Sequence, residues 1–245
     1  MTLAILSALA DEQQGMLDEL RNPVKVVRAR RDFWRGKWFG QDVVLALCGI
    51  GKVAAATTAS TLIESFGVQA IVLTGVAGGL AQGVAVGDVV VARAFLQHDM
   101  DASPLFVRYE VPMYGRKTFD CHAGLSRLLV LAAQNAASGF LPPISVHQGL
   151  IVSGDRFVSG AGESRRLVDD LLRVGLSPLA VEMEGAAVAQ VCFDHGVDFA
   201  AVRTISDRAD ASAHQDFLSF VQSHAGPFAR VMLGHFMVLR SDKSG

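Results

Sequence analysis

Residues 180–210, AVEMEGAAVAQVCFDHGVDFAAVRTISDRAD, decide the fold, because they predict a strand, a helix and a second strand in immediate succession. A short apolar strand leads into a helix over residues 185–195, whose apolar side chains recur at helical spacing. A second apolar and β-branched strand follows over residues 197–206. Glu184 and Asp207 therefore end two strands that one crossover helix joins. Ligands of an open α/β sheet bind at that end of the strands, which makes both acids candidates for a site.

Acids after strands also have a purely structural explanation, because aspartate caps helices and forms turns. The sequence around Asp207 favours more than a cap. Arg203, Ser206 and Asp207 form a polar cluster that closes an otherwise apolar strand, and the Glu-Met-Glu run precedes it on a core-like strand. Buried acids without a partner or a task are costly.

The composition is that of a globular α/β protein. The chain has 245 residues, of which 51% are hydrophobic and 19% are charged, enough for one substantial core. The formal net charge of −2 gives no electrostatic footprint for a polyanion, so we expect no nucleic-acid partner. Cys48, Cys121 and Cys192 are odd in number, and two of them lie in apolar runs, which indicates a reduced, cytoplasmic protein.

No segment of the sequence predicts membrane insertion. The first ten residues are apolar but lack a basic leader and meet Asp11 and Glu12 at once, which favours a first strand over a signal peptide. The late apolar segment, residues 227–239, is interrupted by Arg230 and His235 and is shorter than the roughly 20 residues that a bilayer requires. We therefore expect no membrane partner.

Strands alternate with helices along the whole chain. The predicted strands are residues 3–9, 68–74, 87–92 and 147–152, with solvated hairpins over residues 24–48. The predicted helices are residues 10–20, 49 to about 66, 123–137, 164–172 and 217–239. We predict an irregular loop over residues 95–118 and a break at residues 139–143. With no Gly- or Ser-rich linker, residues 1–245 predict a single-domain, three-layer α/β/α fold with a central mixed sheet.

Two glycine-rich turns and one polar loop are further candidates. Residues 49–51 and 75–79 let a sugar or an anion approach the backbone, although plain tight turns explain them equally well. His98, Asp99 and Asp101 lack further histidines or cysteines at ligand spacing, so we predict no metal site.

Taken together, six segments resemble the nucleoside phosphorylase superfamily and, within it, the 5′-methylthioadenosine/S-adenosylhomocysteine nucleosidases. They are Glu12, GIGKVAAA at 49–56, TGVAGG at 74–79, VSGDRF at 152–157, VEME at 181–184 and VRTISD at 202–207. The resemblance covers nearly the whole chain and is looser over residues 95–143. It implies a nucleosidase that hydrolyses the N-glycosidic bond of 5′-thio-substituted adenine nucleosides and releases adenine without a cofactor. The implied partner is a small purine nucleoside.

The resemblance also implies the catalytic roles. Asp207, positioned by Ser206, would donate a proton to N7 of adenine as the glycosidic bond breaks. Glu12 would be the base for the attacking water, with Arg203 helping to hold that water.

The resemblance implies binding roles for the remaining candidates. Glu184 would bind the ribose hydroxyls, with Met183 packed beside the sugar. The implied base-binding residues are Phe157, which stacks on adenine, the backbone of Val158, Ser206 and Gly78. The implied lining of the 5′-substituent pocket is Leu9, Ile50 and Phe217. Members of the family are typically homodimers, so Phe106 and Pro112 would complete this pocket from the partner chain.

This chemistry is coherent without the resemblance. Adenine leaves poorly as an anion, and one positioned acid accelerates its departure by about 10²–10⁴-fold. Such an acid must stay protonated near neutral pH, which desolvation at an apolar strand end achieves. The sugar develops oxocarbenium character, and water then needs a base on the other side of the bond. Two carboxyl groups in different environments suit these two tasks.

One residue departs from the family pattern and leaves alternatives open. Val76 stands where the nucleosidases usually carry serine, so a donor near the water or ribose is missing. A shifted purine nucleoside substrate, or a nucleoside binder without activity, fits that change. Phosphorolysis is a further alternative, but residues 6–14 and 74–80 contain no Lys or Arg, and Asp11 and Glu12 would repel phosphate.

The basic residues of one segment leave a different class open. A nucleic-acid module that uses residues 25–38 would bind DNA in a salt-dependent way. Alternation of basic and apolar residues there is better explained by the outer face of a hairpin.

Overall fold

A ten-stranded mixed sheet is the centre of this computed structural model, which describes residues 1–138, 144–220 and 226–241, without the side chains of residues 218 and 219. The strands are β1 (Leu3–Ser7), β2 (Arg21–Arg28), β3 (Arg31–Trp38), β4 (Gln41–Leu47), β5 (Ala70–Gly79), β6 (Val89–Gln97), β7 (Thr118–Asp120), β8 (Val146–Ser153), β9 (Pro178–Glu182) and β10 (Asp198–Asp207). The helices are α1 (Lys52–Phe66), α2 (Ala123–Ala137), α3 (Ala161–Arg173), α4 (Gly185–His195), α5 (Ala213–Phe220) and α6 (Gly226–Ser241).

The sheet closes on itself in one part and stays open in another. Its order is β10, β6, β8, β9, β5, β1, β4, β3 and β2, with β7 beside β6. Because β5 also pairs with β10, the strands β5, β10, β6, β8 and β9 form a ring. Strands β1, β5 and β10 run parallel, whereas β6 is antiparallel to β10. The predicted mixed sheet is confirmed. An open sheet was expected, and only the part formed by β1, β4, β3 and β2 is open.

Helices cover both faces of the sheet, as the three-layer prediction requires. Along β1, Ala4 and Leu6 belong to the core cluster that contains α1 and α4 side chains, while Leu3 and Ile5 belong to the cluster with α2 and α6. This alternation is the two-residue period of a strand with both faces buried. Each fully buried Leu or Ile contributes about 1.5–3 kcal/mol relative to an exposed one.

Two of the predicted helices have the expected bounds. α2 and α4 cover residues 123–137 and 185–195, as predicted. α4 ends at Gly196 with φ of +64°, a backbone angle that glycine adopts without steric cost. The hairpins predicted over residues 24–48 are β2, β3 and β4.

The predicted helix at residues 10–20 is wrong. The chain there forms two short 3₁₀ helices, Ala10–Gln13 and Leu17–Glu19. Two local features prevent a continuous α-helix. The Glu12 carboxylate turns back to accept hydrogen bonds from the N–H groups of residues 8 and 9, and Gly15 has a φ of +76°.

The strand predicted to end at Thr74 runs to Gly79. Gly75 pairs with Arg203 and Gly78 with Asp207, so the glycine turn is part of β5 and lies against β10. Similarly, β6 extends to Gln97 and shortens the predicted irregular loop.

Two predictions fall partly or wholly outside the described residues. The predicted break at 139–143 lies outside them, and so do residues 221–225 of the predicted helix at 217–239, whose other parts belong to α5 and α6. Within the ranges described, the helices lack the combination of length and apolarity that crossing a bilayer demands.

Candidate active site

A cavity of about 320 Å³ lies where β1, β5, β9 and β10 end. Its size falls in the usual range for small-molecule sites. Most of the candidate residues predicted from the sequence line it together. These are Leu9, Glu12, Ile50, Gly78, Phe157, Val158, Met183, Glu184, Ser206, Asp207 and Phe217.

Three predicted residues are outside the lining of this cavity in the described part of the chain. Arg203 is behind the wall, with a fully buried side chain. Phe106 and Pro112 belong to the irregular segment after β6, where their predicted role requires a second chain.

Glu12 enters the cavity from the turn after β1. Its Oε2 accepts hydrogen bonds from the N–H groups of Ala8 and Leu9, both at 2.9 Å, and its Oε1 accepts one from Val76 at 3.0 Å. Burial raises the pKa of Glu12, while the Arg203 guanidinium and these three N–H groups oppose the rise. Every hydrogen bond to this carboxyl comes from an N–H donor, which is the pattern that an ionised carboxylate requires.

Asp207 ends β10 on the other side of the same cavity. Its Oδ2 accepts a hydrogen bond from the Ser206 hydroxyl at 2.8 Å, and its Oδ1 accepts one from the Ala209 N–H at 2.8 Å. Burial raises the pKa of Asp207, and the carboxylates of Asp210 and Asp216 add to the rise. Unlike Glu12, Asp207 has no cation among the causes of its pKa shift. Its surroundings therefore favour the protonated form.

Gly78 leaves the space that the Asp207 carboxyl occupies. A Cβ atom at Gly78 would lie 2.9 Å from Asp207 Oδ1 and 3.2 Å from Ala209 Cβ. Any larger residue at this position would push the acid out of its place.

Glu184 is the N-cap residue of α4 and the third acid of the cavity wall. Its Oε1 accepts a hydrogen bond from the Gly51 N–H at 2.9 Å, and its Oε2 is 3.3 Å from Arg203 Nη2. Burial and the neighbouring Glu182 carboxylate raise the pKa of Glu184 to about 7, against the effect of Arg203 and Gly51. This acid therefore titrates near neutral pH.

Arg203 is the counter-ion of the buried acids. Its Nη2 pairs with Glu182 and Glu184. Burial alone would lower the pKa of Arg203, but the carboxylates of Glu182, Glu184 and Glu12 raise it above its usual value, so the guanidinium stays charged. Nε and Nη1 of Arg203 have no hydrogen-bond partner among the described residues.

Gly75 allows Arg203 and Glu12 to approach each other. A Cβ atom at Gly75 would overlap both Arg203 Nη1 and the Glu12 carboxylate. The two charged groups therefore meet at a point of β5 where the backbone carries no side chain.

Val76 presents an apolar surface beside Glu12. It lines the cavity and packs against Phe217 and Phe220. The ring of Phe217 also meets Phe157 edge to face, with the ring centroids 5.7 Å apart. One wall of the cavity is thus aromatic and apolar, as a flat or thioether-bearing ligand requires.

The sequence did not single out three residues that belong to the site. Glu182 lines the cavity beside Glu184 and accepts hydrogen bonds from the Ser153 hydroxyl and from the N–H of Gly185 at 2.9 Å. The Glu-Met-Glu alternation was the available signal, since it places both glutamates on one side of the strand. Arg156 and His214 line the outer part of the cavity, and Arg156 pairs with Glu163 at 3.1 Å. No local pattern marks either of them.

The described residues contain no group of three or more His, Cys, Asp or Glu side chains placed to bind a metal ion. The loop with His98, Asp99 and Asp101 uses these residues otherwise. Asp99 pairs with Lys52 at 2.6 Å, and the Asp101 carboxylate accepts a hydrogen bond from the Ser103 N–H at 3.0 Å.

Comparison with known proteins agrees with this geometry. The family model of the phosphorylase superfamily matches residues 2–235. A curated relative from Exiguobacterium sp. (strain ATCC BAA-1283 / AT1b), named 5′-methylthioadenosine/S-adenosylhomocysteine nucleosidase, is 34% identical over 95% of this chain and 96% of its own.

Solved structures with a similar fold include enzymes with different names. The 5′-methylthioadenosine/S-adenosylhomocysteine nucleosidase from Neisseria meningitidis, in complex with methylthio-immucillin-A, has a TM-score of 0.86 and 33% identity and covers 96% of this chain and 98% of its own. The futalosine hydrolase of Helicobacter pylori strain 26695 has a TM-score of 0.86 and 29% identity and covers 97% of this chain and 98% of its own.

Proposed function

The chain belongs to the phosphorylase superfamily, and from this premise we propose that it hydrolyses the N-glycosidic bond of 5′-thio-substituted adenine nucleosides, methylthioadenosine and S-adenosylhomocysteine, releasing adenine. One observation carries the proposal: Glu12 and Asp207 enter the same cavity from β1 and β10 in opposite electrostatic surroundings. A glycosidic bond held between them has an acid on the base side and a carboxylate on the sugar side.

Asp207 acts as the general acid. Its raised pKa keeps the proton available, and the Ser206 hydroxyl and Ala209 N–H fix the carboxyl group. Proton donation to N7 makes adenine a neutral leaving group, which contributes about 10²–10⁴-fold in rate.

Glu12 activates the attacking water. Three backbone N–H groups and the Arg203 guanidinium favour its ionised form. Arg203 Nη1 lies beside this carboxylate at Gly75 and lacks a hydrogen-bond partner among the described residues, which supports its expected contribution to holding the water.

Glu184 and Met183 bind the ribose. Both line the cavity, and Glu184 accepts ribose hydroxyl hydrogen bonds once it is ionised. The remaining wall supports binding of the base and the 5′ group. Phe157 stacks on adenine beside the Val158 backbone, Ser206 and Gly78, and Leu9, Ile50 and Phe217 contact the 5′ substituent.

Hydrolysis fits the charges of the cavity better than phosphorolysis does. Among the described residues, the only Lys or Arg in its lining is Arg156, which is exposed and paired with Glu163. Arg203 and Lys52 are paired with acids behind the wall. Glu12 would repel a phosphate at the sugar side.

The active form is proposed to be a homodimer in the cytoplasm. Val53 on α1 and Leu105 and Met113 in the segment after β6 are large apolar residues at least 78% exposed, which indicates a covering partner. A second copy on this face would bring Phe106 and Pro112 to its neighbour's cavity. The buried, free thiols of Cys48 and Cys192 suit a reducing compartment. Light scattering of the purified protein should give twice the mass of 26.0 kDa, whereas a monomer at assay concentrations would contradict the proposal.

The test of the function is an assay with identified products. Purified protein is incubated with methylthioadenosine, S-adenosylhomocysteine, futalosine and inosine, each with and without phosphate, and the products are separated by chromatography. We expect adenine and the free 5′-thioribose sugar from the first two, at a rate independent of phosphate. A phosphate requirement with ribose-1-phosphate products, or turnover of futalosine alone, would contradict the proposal.

A further inference from the structure

Resting on the proposed function, we propose that Lys52, Asp99 and Asp155 form a three-loop clamp that holds Gly51 in place, so that its N–H positions Glu184 for ribose binding. The three residues follow β4, β6 and β8. Ile50 after β4 and Phe157 after β8 line the cavity, so two of these segments lead directly into it. None of the three lines the cavity among the described residues, so the clamp acts through Gly51 and Glu184.

The clamp is a closed set of hydrogen bonds. Lys52 Nζ donates to Asp99 Oδ1 at 2.6 Å and to Gln97 Oε1 at 3.0 Å. The other Asp99 oxygen accepts from the Asp155 N–H at 3.0 Å, and Asp155 Oδ1 accepts from the Lys52 N–H at 2.7 Å. Each loop is therefore bonded to both of the others.

The Asp155 carboxylate caps α1 from another loop. Gly51, the N-cap residue of α1, has no side chain to accept the free N–H groups of the first turn. Asp155 accepts the first of them, from Lys52, and its negative charge lies at the positive end of the helix dipole. A Cβ at Gly51 would lie 3.1 Å from Asp155 Oδ1, so the carboxylate packs directly on the glycine.

The cap orients Gly51 toward Glu184. Gly51 has a φ of +98°, which glycine tolerates, and its N–H donates to Glu184 Oε1 at 2.9 Å. A second connection runs from Gln97, which donates to Gln190 Oε1 on α4 at 2.8 Å. Since Glu184 is the N-cap residue of α4, the clamp contacts both the acid and the helix that follows it.

The ion pair in the clamp is partly buried. The side chain of Lys52 is 17% exposed and that of Asp99 is 33% exposed. A partly buried pair with good geometry is screened less than a surface pair. Fixing a loop in this way reduces the cost of positioning a substrate, because displacements near 1 Å cost about 10²-fold in rate.

A change in the clamp should be visible in the pH dependence of ribose binding. The groups that face Glu184 are Glu182 from β9, Arg203 from β10, Glu12 from the turn after β1 and the Gly51 N–H from the loop after β4. The Gly51 hydrogen bond lowers the pKa of Glu184. Losing it would raise that pKa and move the acid limb of kcat/KM to higher pH.

The experiment compares Asp155→Ala with Asp155→Asn. The alanine variant removes the cap, whereas the asparagine variant keeps an acceptor for the Lys52 N–H and should rescue it. For Asp155→Ala we expect KM for methylthioadenosine to rise about tenfold and the acid limb of kcat/KM to move to higher pH. The Kd for adenine, which does not reach Glu184, should change less than about twofold.

Two further variants make the result independent of folding. Lys52→Met keeps the capped N–H and removes the ion pair with Asp99 and the hydrogen bond to Gln97, and it should shift KM and the pH limb in the same direction by a smaller factor. Asp169→Ala, at an exposed position on α3, is the unchanged control. Circular dichroism and the adenine Kd report whether each variant folds.

The possible failures are distinguishable. If the wild type does not cleave methylthioadenosine, the proposed function fails and the clamp fails with it. If the wild type is active and both Asp155→Ala and Lys52→Met keep its KM and pH profile, only the clamp is wrong. Equal losses in Asp155→Ala and Asp155→Asn would also overturn it, because the cap would then play no part.

Discussion

Asp207 and Glu12 are both buried acids, yet their neighbours favour opposite protonation states. Glu12 has the Arg203 guanidinium beside it, whereas Asp207 has Asp210 and Asp216. Under the proposed mechanism this difference assigns the proton to Asp207. Two acids with the same surroundings would offer no reason for one to donate and the other to accept.

Asp207→Asn is therefore expected to lower kcat by about 10²–10⁴-fold and to leave binding of methylthioadenosine nearly unchanged. Asparagine keeps the shape, accepts the Ala209 N–H and donates to the Ser206 hydroxyl. Steady-state kinetics and calorimetric binding measure the two quantities. Asp198→Asn, at the opposite end of β10, is the matched control and should retain activity. A variant at 207 with wild-type turnover would rule out the acid role.

Val76 gives a second prediction at this scale. Its N–H already binds Glu12, while its side chain offers the cavity only methyl groups. Val76→Thr has the same shape with one hydroxyl, and we expect kcat/KM for methylthioadenosine to rise by about threefold to tenfold, well below the 10²–10³-fold cost of removing a donor. Val76→Ala loses methyl groups without gaining a donor and should not improve. Equal kinetics for the threonine and alanine variants would show that a donor there is irrelevant.

Among the elements, β5 makes the site possible through its glycines. Gly75 leaves room for Arg203 and Glu12, and Gly78 leaves room for Asp207. In residues 75–79, the strand therefore pairs with its neighbours and also lets charged groups approach its backbone closely. A strand with side chains at these positions would separate the counter-ion from its acids.

Gly75→Ala is expected to lower kcat/KM at least about 10²-fold, because groups displaced by roughly 1 Å lose that much. Separating the buried charges should also destabilise the fold by about 3–5 kcal/mol. Kinetics and thermal unfolding measure both effects. Gly83→Ala is the control, since a Cβ there meets open space. If Gly75→Ala had the same kcat/KM and thermal stability as Gly83→Ala, the close contact at β5 would contribute to neither.

The elements also show which parts of the structure sequence patterns can predict. The bounds of α2 and α4 followed from local periodicity and their end residues. The helix expected at residues 10–20 did not form, because Glu12 bonds to backbone N–H groups instead. The extension of β5 through Gly79 depends on pairing with β10 and β9, both about 100 residues or more away in sequence. Long-range pairing of this kind leaves no local signal.

Some residues of the candidate site could likewise be predicted from sequence patterns, and others could not. Glu184 and Asp207 were visible because each ends an apolar strand of one strand–helix–strand unit, where an α/β sheet binds its ligands. The clamp was not visible, since its three members are separated by 47 residues between Lys52 and Asp99 and by 56 between Asp99 and Asp155. The task of Glu182 likewise depends on Arg203 and Ser153, which only the folded sheet brings to it.

At the scale of the whole molecule, the buried acids of the site lower the free energy of unfolding as pH rises. Burial raises the pKa of Glu12, Glu184 and Asp207 above their unfolded values. An acid of this kind contributes its full stability below the unfolded pKa and loses it as pH rises through the folded pKa. Burying these three acids therefore costs stability as pH rises, and the rest of the fold must offset that cost.

The variant Asp207→Asn measures the stability cost of burying this acid independently of catalysis. The amide cannot ionise and its hydrogen bonds are satisfied, so the variant escapes the loss of stability that wild type suffers as pH rises above the usual pKa of an aspartate. We expect its melting temperature to exceed that of wild type by a few degrees at pH 8, where about 1 kcal/mol corresponds to about 2–4 °C, and by less at pH 5. Comparing the two proteins at each pH cancels the titration of all other groups. Asp198→Asn should show no gain in melting temperature that grows with pH. If the difference in melting temperature between Asp207→Asn and wild type shrank from pH 5 to pH 8, Asp207 would be stabilised as a carboxylate, which contradicts its role as the acid.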